Sequence, residues 1–107
     1  MKDDTIYIDH ILKSIDNITE YTKGFNKKRF SEDTLVQDAV IRNFEIIGEA
    51  AKKISINFRQ NYTEIPWKEM AGMRDKLIHD YFGVDIEVIW KTINDDLPTL
   101  KKLVGNI

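Results

Sequence analysis

From Val36 to Phe58 the apolar residues Val36, Val40, Ile47, Ala51, Ile54 and Phe58 recur at steps of three, four and seven, with Phe44 bordering the stripe. A strand would place such residues at alternate positions, whereas this spacing lines them along one side of an α-helix. A helix with so long an apolar face needs other amphipathic segments to cover it. The rest of the chain supplies them. Behind Asp3 or Asp4 as an N-cap, Ile8, Ile11, Leu12, Ile15 and Ile18 repeat with helical spacing, and Gly24 supplies a stop. Ser31 is the expected cap of the long second helix. Residues 61–65 read as a loop, and Pro66 suits the first turn of a third helix, WKEMAGMRDKLIH, which should fray near Tyr81 to Gly83. Asp85 is placed to cap a fourth segment carrying Ile86, Ile89, Trp90, Ile93, Leu97, Leu100 and Val104 on one face, with a kink or restart at Pro98. No segment alternates as a strand does. The expected fold is all-α, an antiparallel four-helix bundle, with a fifth short helix if the chain restarts after Pro98.

A length of 107 residues with 42% hydrophobic content suits one domain over 1–107 and is short for two. Sixteen Lys and Arg against eighteen Asp and Glu leave a net charge of −2, so any contact with nucleic acid must be local. Cysteine is absent, which removes disulfides and thiolate metal sites. The opening MKDDTIYIDH has neither the basic start nor the apolar run of a signal peptide, and no stretch approaches the roughly 18 apolar residues of a membrane span. A cytoplasmic protein with no membrane association is the expectation.

The stretch RDKLIHDYFG, Arg74 to Gly83, concentrates reactive side chains in a chain with four arginines and two histidines. Arg and His at this spacing would arise by chance at roughly 7%, and a tyrosine two places later brings the figure to roughly 0.3%. Arginine offers a permanently charged fork matched to phosphate oxygens, and histidine alone has an ordinary pKa near neutrality. RNA cleavage needs both kinds of group. A base takes the 2′-OH proton, a cation stabilises charge on the phosphoryl oxygens, and an acid protonates the leaving oxygen, with no metal strictly required. Asp75, four residues before His79, shares its helical face and could fix the imidazole; the alternative is a solvated acid. Five residues along a helix turn through roughly 500°, so Arg74 and His79 point about 140° apart. Arg74 and Tyr81, seven apart, share a face while the helix persists. Two copies packed about a two-fold axis would bring two histidines to one cleft.

RDKLIHDY resembles the R-x-x-x-x-H-x-Y signature of the HEPN superfamily, in particular its HepT-like toxin branch. The likeness extends through DAVIRNFEIIGEAAKKIS (Asp38 to Ser55), IPWKEMAGMRDKLIHDYFGVD (Ile65 to Asp85) and VIWKTINDDLPTLKKL (Val88 to Leu103), with the N-terminal helix least specific. It implies an all-helical homodimer with metal-independent endoribonuclease activity and no cofactor, acting on tRNA or mRNA as the toxin of a type VII-like toxin–antitoxin pair. The implied antitoxin partner is an MntA-like nucleotidyltransferase. Arg74 and His79 match the family's catalytic pair, and Tyr81 matches the tyrosine that the partner modifies with AMP. Position 75 is often asparagine in such motifs and is aspartate here, which adds negative charge beside the phosphate site.

Between positions 69 and 87 the acids Glu69, Asp75, Asp80, Asp85 and Glu87 outnumber Arg74 and Lys76. Compensation would come from Lys23, Lys27, Lys28 and Arg29, or from Lys52 and Lys53, if either cluster borders the cleft. Arg42 and Lys76 are the candidate additional RNA contacts. Arg42, Glu45 and Glu49 otherwise read as a salt-bridged helix face. His10 is expected to be structural, Trp67 and Trp90 packing anchors, and Gly48 and Ala50 a small-residue helix crossing. The acidic surroundings also fit a non-catalytic helical module that docks a nucleotidyltransferase or holds a nucleotide. The two readings separate on whether RNA is cut.

Overall fold

The computed structural model describes residues 3–79 and 83–107, with Lys76, Ile78 and His79 described by their backbone alone. Its helices are α1 (Asp4–Tyr21), α2 (Lys27–Glu32), α3 (Thr34–Lys53), α4 (Ile56–Asn61), α5 (Trp67–His79), α6 (Ile86–Lys91) and α7 (Leu97–Gly105). No strand occurs among the described residues, so the all-α expectation holds. Helix α3 lies at the centre, packed on α1 along one side and on α5 along another, with α7 also against α1. Asp4 meets Ser55 while Asn17 meets Asn43, so α1 and α3 run antiparallel.

The expected stripes are the ones that become buried. Ile8, Ile11, Ile15 and Ile18 of α1 close on Val40, Phe44, Ile47 and Ala51 of α3. Fully burying each such side chain contributes about 1.5–3 kcal/mol relative to exposure. Asn43 adds a specific tie, accepting from Asn17 Nδ2 at 3.2 Å and donating to the Ala39 carbonyl at 2.8 Å. Phe30 of α2 is fully buried and packs its ring 5.2 Å from that of Trp90, while the Trp67 indole donates to the Tyr62 carbonyl at 3.0 Å. Both tryptophans are the packing anchors expected of them.

Helix ends follow local chemistry, with two corrections. Asp3 caps α1, accepting from the Thr5 N–H at 2.9 Å, and Asp85 caps α6 in the same way through Glu87 at 3.0 Å. Gly24, at φ 78°, turns the chain in the left-handed region after α1. Ser31 is not the cap of the long helix: it lies inside α2 and donates to the Lys28 carbonyl at 2.7 Å. Asp33 takes the position instead, its extended backbone aiming a carboxylate oxygen at the Val36 N–H, 3.0 Å away. The long helix also stops before Phe58. A continuing helix would have used the Ser55 N–H, but Asp4 accepts it at 2.8 Å and takes the Ser55 hydroxyl at 2.7 Å. Ser55 then caps α4, and the apolar stripe passes into that short helix, where Phe58 meets Tyr62 and Trp67.

Pro66 stands just before α5, its carbonyl accepting from Met70 at 3.0 Å. At Pro98 the helical path neither breaks nor continues regularly. One π-helical turn, Thr92–Asp96, joins α6 to α7, with the Leu97 N–H reaching back to the Thr92 carbonyl. A proline lacks the N–H a regular turn would use at that point, and the wider turn removes the clash with the carbonyl four residues back. Among the described residues no helix is long and apolar enough to cross a membrane.

The α3–α5 contact is closest at Gly48. A Cβ there would overlap the Arg74 Cβ and lie 2.7 Å from the Met70 carbonyl oxygen, both on α5. Gly72, on α5, has nothing described within 4 Å of its own missing Cβ. Opposite outcomes are expected from the same substitution. Gly48→Ala should destabilise by about 1–3 kcal/mol through overpacking, and Gly72→Ala should stabilise by about 0.5–1 kcal/mol through helix propensity. Urea unfolding midpoints of the two variants, measured side by side, check this.

Candidate functional site

Arg74 projects from α5 directly over the Gly48 crossing, so the absence of a side chain on α3 fixes where its stem begins. Its side chain is 27% exposed, enough to meet a ligand while held by neighbours. Two carboxylates grip the guanidinium. Nη1 donates to Asp75 Oδ1 at 3.0 Å, and Nη2 stands 3.5 Å from Glu49 Oε2 on α3. Nε is buried with no hydrogen-bond partner among the described residues. Asp75 is shared in turn: the Lys52 ammonium, also from α3, donates to the same Oδ1 at 3.1 Å. Lys53 lies 3.6 Å from Glu49. The groups form a chain of alternating charge, Lys52, Asp75, Arg74, Glu49 and Lys53, laid across the crossing of two helices.

The hydrogen bond from Arg74, supported by that from Lys52, holds the Asp75 carboxyl below the ordinary carboxylate range. It therefore stays ionised wherever RNA chemistry near neutral pH would take place.

Sequence reasoning singled out Arg74, and Asp75 as the group that orients His79; the structure sets Asp75 on Arg74 and Lys52, and its expected contact with the His79 imidazole lies outside the described residues. The His79 backbone ends α5, one turn beyond Asp75, and its side chain lies outside the described residues, as does that of Lys76. Tyr81, the modification candidate, lies outside them altogether. Arg42 is exposed and makes no ion pair among the described residues; it lines a cleft of about 270 Å³ between α1 and α3 with Tyr7, His10, Glu45, Glu49 and Lys53. The expected salt-bridged face of Arg42, Glu45 and Glu49 is thus replaced by pairs from Glu49 to Arg74 and Lys53. Of the two basic clusters, Lys52 and Lys53 border Arg74, whereas Lys27 pairs with Glu87 of α6 at 3.2 Å. Glu49 and Lys52 were the partners that spacing along one helix could not reveal, because they act on another helix. A signal was present in Gly48, whose expected role as a close crossing places its neighbours 49 and 52 beside the facing helix.

The family model for the HepT-like ribonucleases matches residues 11–107. The chain belongs to this family. It is 52% identical, over 89% of its own length and 86% of the relative's, to "Probable ribonuclease HepT" of Thermococcus cleftensis. It is 45% identical over its full length and 96% of the relative's to a Caldanaerobacter subterraneus protein named "Putative RNase". A third relative, "Gamma-glutamylcyclotransferase and putative RNase" of Methanocaldococcus jannaschii, is 52% identical over 99% of this chain, which spans only 48% of that longer protein. No solved structure gives a significant match. The HepT-like assignment makes this chain an enzyme of the ribonuclease class and agrees with its helical bundle. Among its described residues, no group of three or more His, Cys, Asp or Glu is gathered as a metal site.

The sign of the Asp75 effect sets a pH test. A carboxylate with a depressed folded pKa contributes stability that is present above its unfolded value and lost as pH falls through the folded one. The unfolding midpoint of the wild type should therefore exceed that of Asp75→Asn by a constant margin from pH 8 to about 5, and the margin should close below about pH 4. A margin that does not shrink at all between pH 5 and pH 3 would show that the charge of Asp75 is not its source.

Proposed function

We propose that the chain is the toxin of a type VII-like toxin–antitoxin pair, a metal-independent endoribonuclease acting on tRNA or mRNA. In this reading residues 1–107 form one HEPN-like domain, two copies complete the site, and an MntA-like nucleotidyltransferase silences it by adding AMP to Tyr81. The observation that carries the reading is the seating of Arg74: the cation of the family's motif stands part-exposed at a helix crossing, oriented by carboxylates from two helices.

Arg74 would face the non-bridging oxygens of the scissile phosphate. As the 2′-oxygen attacks phosphorus, one His79 imidazole takes the hydroxyl proton while a protonated second gives one to the departing 5′-oxygen. The O2′–P bond forms as the P–O5′ bond breaks, and with histidine as both base and acid the two protons are handled by two imidazoles. One chain has a single histidine in the motif, and its helical rotation sets that residue about 140° from Arg74, so a two-fold pair is the simplest way to assemble the set. An apolar groove of about 450 Å³ between α3, α5 and α7, lined by Phe44, Met70, Met73 and Leu100, gives α5 a surface suited to such pairing. AMP on Tyr81, seven residues after Arg74 in the sequence, would bring a competing phosphate and an adenine towards the same site.

Purified protein should cleave single-stranded RNA or tRNA in EDTA. His79→Ala should slow cleavage by about 10²–10⁴-fold and Arg74→Ala by about 10²–10³-fold. A His79→Ala protein as fast as the wild type removes the mechanism. Intact mass after co-expression with the nucleotidyltransferase should show AMP additions on the wild type and none on Tyr81→Phe. A stable, unmodified complex that leaves RNA intact would favour the docking module instead.

A further inference from the structure

Asp75 Oδ1 accepts from two cations at once, Arg74 Nη1 at 3.0 Å and Lys52 Nζ at 3.1 Å. A single carboxylate oxygen thereby holds an ammonium from α3 beside a guanidinium from α5. Both side chains remain accessible, Lys52 at 45% and Arg74 at 27%. Of the two ion pairs that Arg74 makes, the looser is the contact from Nη2 to Glu49 Oε2, at 3.5 Å with Glu49 51% exposed. Glu49 also has Lys53 as a second partner at 3.6 Å, so its charge stays compensated if it leaves Arg74. A phosphodiester anion can therefore enter by taking the place of Glu49, while the firmer Asp75 contact keeps both cations aimed.

We propose that Lys52 is a phosphate-binding residue of this site, holding an RNA phosphate next to the one on Arg74, with Asp75 as the positioning residue that couples the two cations. The proposal rests on the ribonuclease reading above. Among the described residues five charged groups make up the cluster, three positive and two negative, a net positive set in a chain that is negative overall. Lys52 is the member of α3 that meets the same Asp75 oxygen as Arg74. A single-stranded backbone crossing α5 towards α3 would meet the guanidinium first and the ammonium next.

The test measures cleavage of a single-stranded RNA and binding of its non-cleavable 2′-O-methyl counterpart between 50 and 300 mM salt. Lys52→Ala, Lys52→Arg and Lys101→Ala are compared with the wild type. Lys101 pairs with Asp16 between α7 and α1 and serves as the charge-matched control. Lys52→Ala should weaken binding and kcat/KM by about 10-fold, as expected for one charge-assisted contact. Its plot of log affinity against log salt should become shallower by about 0.7, the value for one single-strand phosphate contact. A merely structural role for Lys52 would leave that slope unchanged. Lys52→Arg should restore both quantities, and Lys101→Ala should change neither. If the wild type cleaves while Lys52→Ala matches Lys101→Ala in both measurements, this assignment alone fails. If the wild type neither binds nor cleaves, it falls together with the ribonuclease reading.

Discussion

Everything about the site follows from the close approach of α3 and α5 at Gly48. A glycine inside a helix costs about 0.5–1 kcal/mol relative to alanine, so its presence there needs an offsetting gain. The gain is contact: the Arg74 stem and the Met70 carbonyl occupy the volume a side chain would fill. The crossing joins two of the chain's apolar stripes and, on its outer side, brings Glu49 and Lys52 of α3 against Arg74 and Asp75 of α5. Core and site are thus fixed by one contact. Widening it would loosen the packing and the guanidinium's aim together.

The ion pairs at this crossing contribute orientation more than stability. Their side chains are roughly a quarter to a half exposed, and pairs of that kind are worth about 0.2–1 kcal/mol each. Each carboxylate nevertheless restricts two long, flexible side chains, and that restriction is what a reacting phosphate needs, because a cation already in place does not have to be reorganised during the reaction. The Nε of Arg74, buried and without a partner among the described residues, fits the same account. A buried donor left without an acceptor is unfavourable, and folded proteins tolerate such groups chiefly where function requires them.

Most of the fold was legible because it depends on periodicity, which one sequence displays directly. The stripes of α1, α3 and α6–α7 are all present, and Asp3, Asp85 and Pro66 act at the helix ends where side-chain chemistry places them. The misreadings arose where a distant residue decided the outcome. Ser31 and Asp33 are both suitable caps by type, and the choice between them depended on the short helix α2 carrying Phe30 into the core against Trp90. The long stripe ended early because Asp4, fifty-one residues away in sequence, captured Ser55. The site divides in the same way. Arg74 and Asp75 were visible as neighbours within one motif, whereas Glu49 enters only through the fold, and the fold alone decides that Lys52, rather than the other basic cluster, borders Arg74.

The acidity around the motif, which first reads as an obstacle to binding RNA, takes on another meaning once the partners are known. Asp75 does not stand free to repel phosphate, since its hydrogen-bond partners among the described residues are both cations, and they keep it ionised. Its charge is largely used within the protein. An asparagine at this position could present an amide oxygen to one cation but would bind a pair of them far less strongly, because charge-assisted hydrogen bonds are roughly twice as strong as neutral ones. Aspartate therefore trades some attraction for RNA against a tighter grip on Arg74 and Lys52. An enzyme organised in this way would lean less on long-range attraction, which salt screens within about 10 Å at 0.1 M, and more on cations held in register at contact. In a chain of net charge −2, contact is where selectivity for a phosphodiester has to be generated.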